Sequence, residues 1–170
     1  AAFDLFFPRL ARFYDVTIKR MWAEHALMNT FFKDLPFAAQ SLNLAQQAYA
    51  TKHVDKMNLV FGICAILPFG LYNPRTSAQL VLTEPRLIIE IGPGDLFFFP
   101  SATIHHESIP MAAGEKRKSM IWYSAGSLFR WIKQGYQTAG TKNAAQQREA
   151  KKAGAVRWEQ AWKLFCNIKE

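Results

Sequence analysis

The chain has 170 residues, half of them apolar and 14% aromatic. That is one domain's length with enough apolar surface for a sizeable core, which excludes disorder for most of it. Two cysteines, Cys64 and Cys166, exclude a disulfide framework or a thiolate zinc site, and no apolar run reaches the roughly 18 residues of a membrane span. The net charge of +8 is unevenly placed: residues 1–114 hold nine basic and nine acidic side chains, residues 115–170 twelve and four. Such a basic face steers toward nucleic acid, an anionic membrane or a small polyanion; a solvated, Lys-rich helical tail accounts for it equally well. Residues 1–12 lack the basic start and apolar stretch of a signal peptide, so a reduced intracellular protein is expected. Without an initiating Met, the chain is expected to be a fragment or a processed product.

Residues 1–35 read as helical. Phe6, Leu10 and Phe13 repeat near a helical period, as do Met21, Trp22, His25 and Met28, and Pro8 starts or kinks the first segment. His25 reads as a packing or surface histidine. From residue 37 to about 125 the pattern turns to short strands: 38–44, 48–54, 60–67, 78–82, 87–91, 96–99, 103–109 and 117–123. Turn signals separate them, including Pro68-Phe69-Gly70, Asn73-Pro74, Glu84-Pro85, Gly92-Pro93-Gly94-Asp95 and Ala113-Gly114. Eight short strands at close spacing predict a sandwich, jelly roll or barrel. Residues 127–170 return to helix. Leu128 to Ile132 start one helix, Gly135 ends it, Thr141 caps a second, and Trp158, Trp162 and Phe165 form an apolar stripe expected to pack on the β region.

Three elements of the β region carry chemistry. His53 and Asp55 are two apart on an expected strand, so both side chains point to one face, where an imidazole and a carboxylate can share a metal ion. A Gly-Asp-apolar-Pro strand, 94–100, then leads to His105 and His106, with Pro110 behind them. Two histidines and one carboxylate, with open positions left over, suit non-haem Fe(II). Adjacent strand residues cannot share a face, so only one of His105 and His106 joins the set. Third, Arg117 and Ser119 alternate onto one face with Ile121 and Tyr123; a guanidinium fork and a hydroxyl two apart suit a carboxylate. Taken alone, each element also has a plain structural explanation.

Together these elements resemble the Fe(II)/2-oxoglutarate dioxygenase superfamily over residues 37–125. The spacing to Pro110 and the family pattern favour His106 over His105. A closer resemblance is to the TET/JBP-like oxygenase domains of basidiomycete fungi, which often read H-R-D-x-x-N, G-G-x-L-V-L, P-S-A-x-I-x-H and A-G-x-x-F-R-W. The matching stretches here are His53 to Asn58, Ser77 to Leu82, Pro100 to His106 and Ala125 to Trp131. Val54 stands where Arg is common, and Ser77-Ala78 replaces the Gly-Gly pair.

The resemblance implies a mainly β fold with flanking helices, a double-stranded β-helix (jelly roll) in one dioxygenase domain, 1–170. Its parts would be a helical N-terminal support 1–36, the core 37–125 and a basic helical segment 126–170. It implies His53, Asp55 and His106 as catalytic Fe(II) ligands. Arg117 and Ser119, and more loosely Asn43, would bind 2-oxoglutarate; O2 would be co-substrate, with succinate and CO2 released. It implies oxidation of the methyl group of 5-methylcytosine or a related methylated base in DNA. Lys116, Lys118, Arg130, Lys133, Lys151 and Lys152 are the residues expected on phosphates, and one of Phe69, Tyr72 and Trp122 would stack on the base. The same chemistry on a protein side chain or small molecule is the first alternative, a non-catalytic jelly-roll binding module the second. DNA is the expected partner and RNA the next, with no membrane; a monomer in the nucleus completes the expectation.

Overall fold

A computed structural model describes residues 2–25 and 35–165; Met28 and Cys166 lie outside the described residues. The backbone divides into two compact units, residues 1–38 with 126–170, and residues 39–125.

In the first unit, α1 (Ala2–Phe6) and α2 (Pro8–Glu24) lead off. Pro8 takes the first turn of α2, where its missing N–H removes a donor that has no intrahelical partner. Leu10, Ala11, Tyr14, Ile18 and Met21 form its buried stripe. Phe6, expected in that stripe, is 65% exposed, because the helix breaks between it and Pro8. Phe3, Tyr14, Phe37 and Phe129 pack ring against ring at centroid distances of 4.8 to 5.9 Å. Helices α3 (Gly126–Lys133) and α4 (Ala144–Trp162) follow, with a 3-10 turn between them. Asn143, rather than Thr141, caps α4: its side chain accepts the Gln146 N–H while the Gln146 side chain accepts the Asn143 N–H. Thr141 instead bonds the Thr138 carbonyl. The expected burial of the Trp158/Trp162 stripe is not seen. The indoles are 44% and 60% exposed, and Ala161 is the buried residue of that turn.

The second unit holds two antiparallel sheets. One has the order β1 (Ala39–Asn43), β7 (Lys116–Tyr123), β2 (Cys64–Leu71), β5 (Phe97–Phe99); the other has β4 (Leu87–Ile89), β3 (Leu80–Leu82), β6 (His106–Ser108). Cys64 and Phe99 from the first sheet meet Leu80 and Leu82 from the second in one core, with Ile66, Phe97, Ile89 and Tyr123 packed around it.

Most strands are shorter than the sequence suggests, and the boundaries of β2 differ. It begins at Cys64 rather than Val60 and runs through Pro68-Phe69-Gly70, expected as a turn. In a strand the nitrogen and carbonyl of one residue face the same edge. The Pro68 carbonyl accepts from Gly94, on the edge where pairing with β5 has stopped at Ile66, so the proline removes no ladder bond. Gly70 sits at φ +131°, where a β-carbon would lie 2.2 Å from the Lys116 carbonyl oxygen; β7 approaches too closely there for any side chain.

No strand forms over 48–54. Its chain is instead a strap crossing from one sheet to the other. The Arg117 N–H donates to the Gln46 carbonyl at 2.9 Å and the Ala48 N–H to Arg117 at 3.0 Å. On the second sheet Ser108 donates to Ala50 at 2.9 Å, and His53 and His106 exchange bonds of 3.0 and 2.9 Å. With partners drawn from two sheets, the segment satisfies its backbone without belonging to either ladder.

Candidate active site

The strap brings His53 to His106, at the start of β6, as an isolated antiparallel bridge. Asp55 follows in a turn: its N–H donates to the Ser101 carbonyl at 2.9 Å. His53, Asp55 and His106 therefore converge through a backbone bridge and a turn, without the strand alternation that sequence spacing suggested. One ligand atom from each lies within 4.8 Å of the others, a group that could hold a metal ion.

The hydrogen bonds of the imidazoles decide which nitrogen is free. His53 Nδ1 lies 2.7 Å from the Thr51 carbonyl oxygen, and His106 Nδ1 lies 2.9 Å from that of Ile104. A carbonyl only accepts, so each Nδ1 carries the proton and each Nε2 keeps a lone pair for a cation. Burial holds the His106 imidazole below its usual range, favouring the neutral ligand form, while the carbonyl bond from Ile104 opposes this. Phe99 packs edge-on against His106 at 4.9 Å and walls the buried side. His53 and Asp55 are the more open members, at 42% and 33% side-chain exposure.

Asn58 was not singled out as a site residue, although it closes the His53-x-Asp55-x-x-Asn58 motif. Its Nδ2 donates to Asp55 Oδ2 at 3.0 Å and to Ser101 Oγ at 3.1 Å. One carboxylate oxygen is thereby occupied, and the other, Oδ1, faces His53 Nε2 at 3.5 Å. The neighbouring thiol of Cys64 is pushed up to about 12, chiefly by burial; it is a packed core atom and no ligand. His105 turns away: its ring Nδ1 sits 2.6 Å from Glu84 Oε1, and its N–H donates to Glu84 Oε2 at 2.8 Å.

Register places the second cluster. Arg117 and Ser119 share a face of β7 with Ile121 and Tyr123, and Asn43 of β1 pairs directly with Ser119. Arg117 is 4% and Ser119 1% exposed; Asn43 is exposed. Arg117 donates from Nη1 to the Ala48 carbonyl at 2.7 Å, while its Nε is buried without a partner. Among the described residues it makes no salt bridge. A buried, unpaired guanidinium is costly unless an anion completes it, so these residues fit a carboxylate ligand. Burial lowers the Arg117 pKa, and the hydroxyl of Tyr72 beside it opposes that. Tyr72 also donates to the Ile91 carbonyl at 2.7 Å. Of the three aromatics expected near a substrate, Tyr72 is thus the one beside Arg117. Phe69 and Trp122 take the opposite face of the sheet, by their pairing with Lys118 and Ala65.

Lys116 and Lys118 alternate onto that opposite face too, so neither can stand in for Arg117. Arg130 and Lys151 line a common groove of α3 and α4. Lys133 lines another, with Arg9, Arg12 and Arg20; Lys152 is exposed on α4.

No protein-family model matches the chain, and no curated protein does. Solved structures are similar to it, three of them as follows. NgTET1, in complex with 5mC DNA, is 16% identical at a TM-score of 0.49, covering 62% of this chain and 42% of that one. The viral collagen prolyl hydroxylase vCPH of Paramecium Bursaria Chlorella virus-1, a 2OG complex, is 14% identical at 0.37, covering 65% and 73%. An oxidoreductase of the 2OG-Fe(II) oxygenase family from Burkholderia pseudomallei is 14% identical at 0.36, covering 64% and 56%. The chain thus spans less than half the length of the first and little over half of the third.

Proposed function

We propose that this chain is an Fe(II)/2-oxoglutarate-dependent dioxygenase with a jelly-roll core, acting on the methyl group of 5-methylcytosine or a related methylated base in DNA. One observation carries the catalytic part. Two imidazole Nε2 atoms and one carboxylate converge at one end of a strap whose other end is bonded to a buried Arg117 that has no acidic partner among the described residues. Two histidines and a carboxylate alone would also suit hydrolytic zinc; the guanidinium clamp argues for a carboxylate co-substrate.

When bound at His53, Asp55 and His106, Fe(II) supplies, with 2-oxoglutarate and O2, the means to oxidise an unactivated C–H bond, with succinate and CO2 as by-products. The chain's own residues do the rest. Thr51 and Ile104 keep the ring protons on Nδ1 and the Nε2 lone pairs toward the metal. Asn58 holds Asp55 so that one oxygen remains for coordination. Arg117 and Ser119 receive the distal carboxylate of the co-substrate, and Asn43, opposite Ser119, lies at the open edge of that site. Phe99 keeps water from the buried side.

The nucleic-acid part is supported by the TET/JBP-like motifs and by the surplus of basic residues after position 114. A duplex substrate must present its base out of the stack. Among the described residues, no helix is long and apolar enough to cross a membrane. An intracellular, nuclear monomer is the setting proposed for this reaction.

The test is succinate release, with and without Fe(II), against methylated DNA, methylated RNA and peptide pools. Stimulation by methylated DNA supports the whole reading. Stimulation by peptides alone keeps the catalyst and replaces the substrate. No Fe(II)-dependent succinate with any of them, together with a melting temperature indifferent to Mn(II) plus 2-oxoglutarate, leaves a binding module.

A further inference from the structure

The first unit contains a groove of about 860 Å³ formed by α3, α4 and the turn between them. Arg130, Lys142, Lys151 and Arg157 line it, and among the described residues no acidic one does. Periodicity explains this purity. Gln147, Ala150, Lys151, Gly154 and Arg157 recur at three- and four-residue spacing on one face of α4, whereas Glu149 and Glu159 fall on the other side of the helix. Small residues form the floor: Gly154 leaves the space in which the Arg157 guanidinium lies, with Nη2 3.3 Å from where a β-carbon would stand. That guanidinium donates to the Ala150 carbonyl at 3.5 Å and makes no salt bridge among the described residues. Trp131 completes the lining. Its indole is half-buried and braced by His25 at 5.3 Å and, edge-on, by Tyr136 at 4.7 Å.

Four cations without a carboxylate among them call for more than one negative charge. The volume far exceeds that of a single phosphate, and a braced indole offers a flat surface that a bare polyphosphate cannot use. We infer that this groove binds a single strand of nucleic acid, its phosphates on Arg130, Lys142, Lys151 and Arg157 and one base against Trp131. Cations tracking a backbone beside an aromatic platform are how sequence-indifferent strand binding works. The inference rests on the proposed nucleic-acid substrate for the use made of the strand, though not for the binding itself.

The test uses the intact chain and a fluorescently labelled 12-nucleotide single strand, with anisotropy read across salt concentrations. With three or four phosphates engaged, log K falls against log salt with a slope of about −2 to −3. Arg130→Gln with Arg157→Gln should bring that slope about 1.4 units closer to zero and weaken binding about tenfold or more. Lys133→Gln with Lys152→Gln removes the same charge outside the groove and should cost much less. Trp131→Leu should weaken binding about fivefold or more. Arg130→Lys with Arg157→Lys keeps the charges, and restored binding guards against a folding defect in the glutamine pair. Equal losses from both glutamine pairs would overturn the groove in favour of net charge. So would full competition by millimolar inorganic phosphate, as a small-anion site, or preferential capture by phosphatidylserine vesicles, as a membrane surface. Oligonucleotide binding without any succinate release would leave the groove standing and remove the oxygenase. Succinate release stimulated by DNA, with strand binding unchanged in the Arg130/Arg157 variant, would do the reverse.

Discussion

Replacing Arg117 by Met should raise the stability of the ligand-free protein while destroying its response to 2-oxoglutarate. The two effects follow from one observation: the guanidinium is 4% exposed, held by the Ala48 carbonyl and the Tyr72 hydroxyl, without a salt bridge among the described residues and with an orphan Nε. Burying an ion without its partner costs several kcal/mol, whereas orphaning the Ala48 carbonyl costs about 1–3 kcal/mol. The difference favours the variant by about 1–2 kcal/mol, or about 2–8 °C in melting temperature for a chain of this size. The lost charge-assisted bond is worth about 1.5–3 kcal/mol to the bound carboxylate, so the 2-oxoglutarate requirement should rise about 10- to 150-fold. Thermal melts with and without Mn(II) plus 2-oxoglutarate, alongside succinate release at graded 2-oxoglutarate, read both. An Arg117→Met protein that melts lower than wild type yet keeps the full ligand-induced shift would refute the reasoning.

Asn58→Ala frees one oxygen of Asp55, and metal affinity should drop about 10- to 100-fold, measured by Mn(II) titration. An unchanged affinity would mean that the turn alone holds the carboxylate. His105→Asn should keep turnover, because Glu84 and not the metal site engages that ring, whereas His106→Asn should abolish it. Ala78 is buried with φ +59°, a conformation costing about 1–2 kcal/mol for a residue with a β-carbon. Ala78→Gly should therefore leave the melting temperature unchanged or higher, while Ala65→Gly, buried within β2, should lower it. Cys64 gives a pH signature. Its thiol ionises at 9.0 when free and at about 12 when buried, so above pH 9 the unfolded chain sheds a proton that the folded one keeps. Stability then falls between pH 9 and 12 by up to about 4 kcal/mol. Cys64→Ala should remove that component of the alkaline loss in denaturant titrations, and an identical alkaline limb in both proteins would exclude it.

The chemistry-bearing residues were legible because each announces itself within a short window: His53 with Asp55, His106 four residues before a proline, Arg117 two before Ser119. Their assembly was not. The 48–54 segment has the composition of a strand, but its partners come one bond at a time from β7 and β6, and local pattern cannot express that. Pro68 and Gly70 read as a turn because their usual cost assumes two full ladders; β5 ends before the proline, and β7 comes too near at the glycine. Asn58 was visible as the last letter of a motif, while its role needed Ser101, more than forty residues away. Ala78 shows the opposite case. The fungal pattern has glycine at this position, and the left-handed backbone supplies the physical reason. On α4, counting basic residues could not separate the face that lines the groove from the one that carries Lys152.

The strap also works as a gauge. Its bonds at Gln46 and Ala48 hold it to the backbone of Arg117, and those at Ala50 and His53 to Ser108 and His106. Only four residues lie between Ala48 and His53, and both ends are hydrogen-bonded, so the strap ties the backbone of Arg117 to that of the histidines. A ligand that must reach both ends is thereby measured for length. On the proposed chemistry, a five-carbon dicarboxylate is expected to be accepted and oxaloacetate, one carbon shorter, to be rejected. Inserting a single residue between Ala48 and Ala50 should change that measure without removing any side chain of the site.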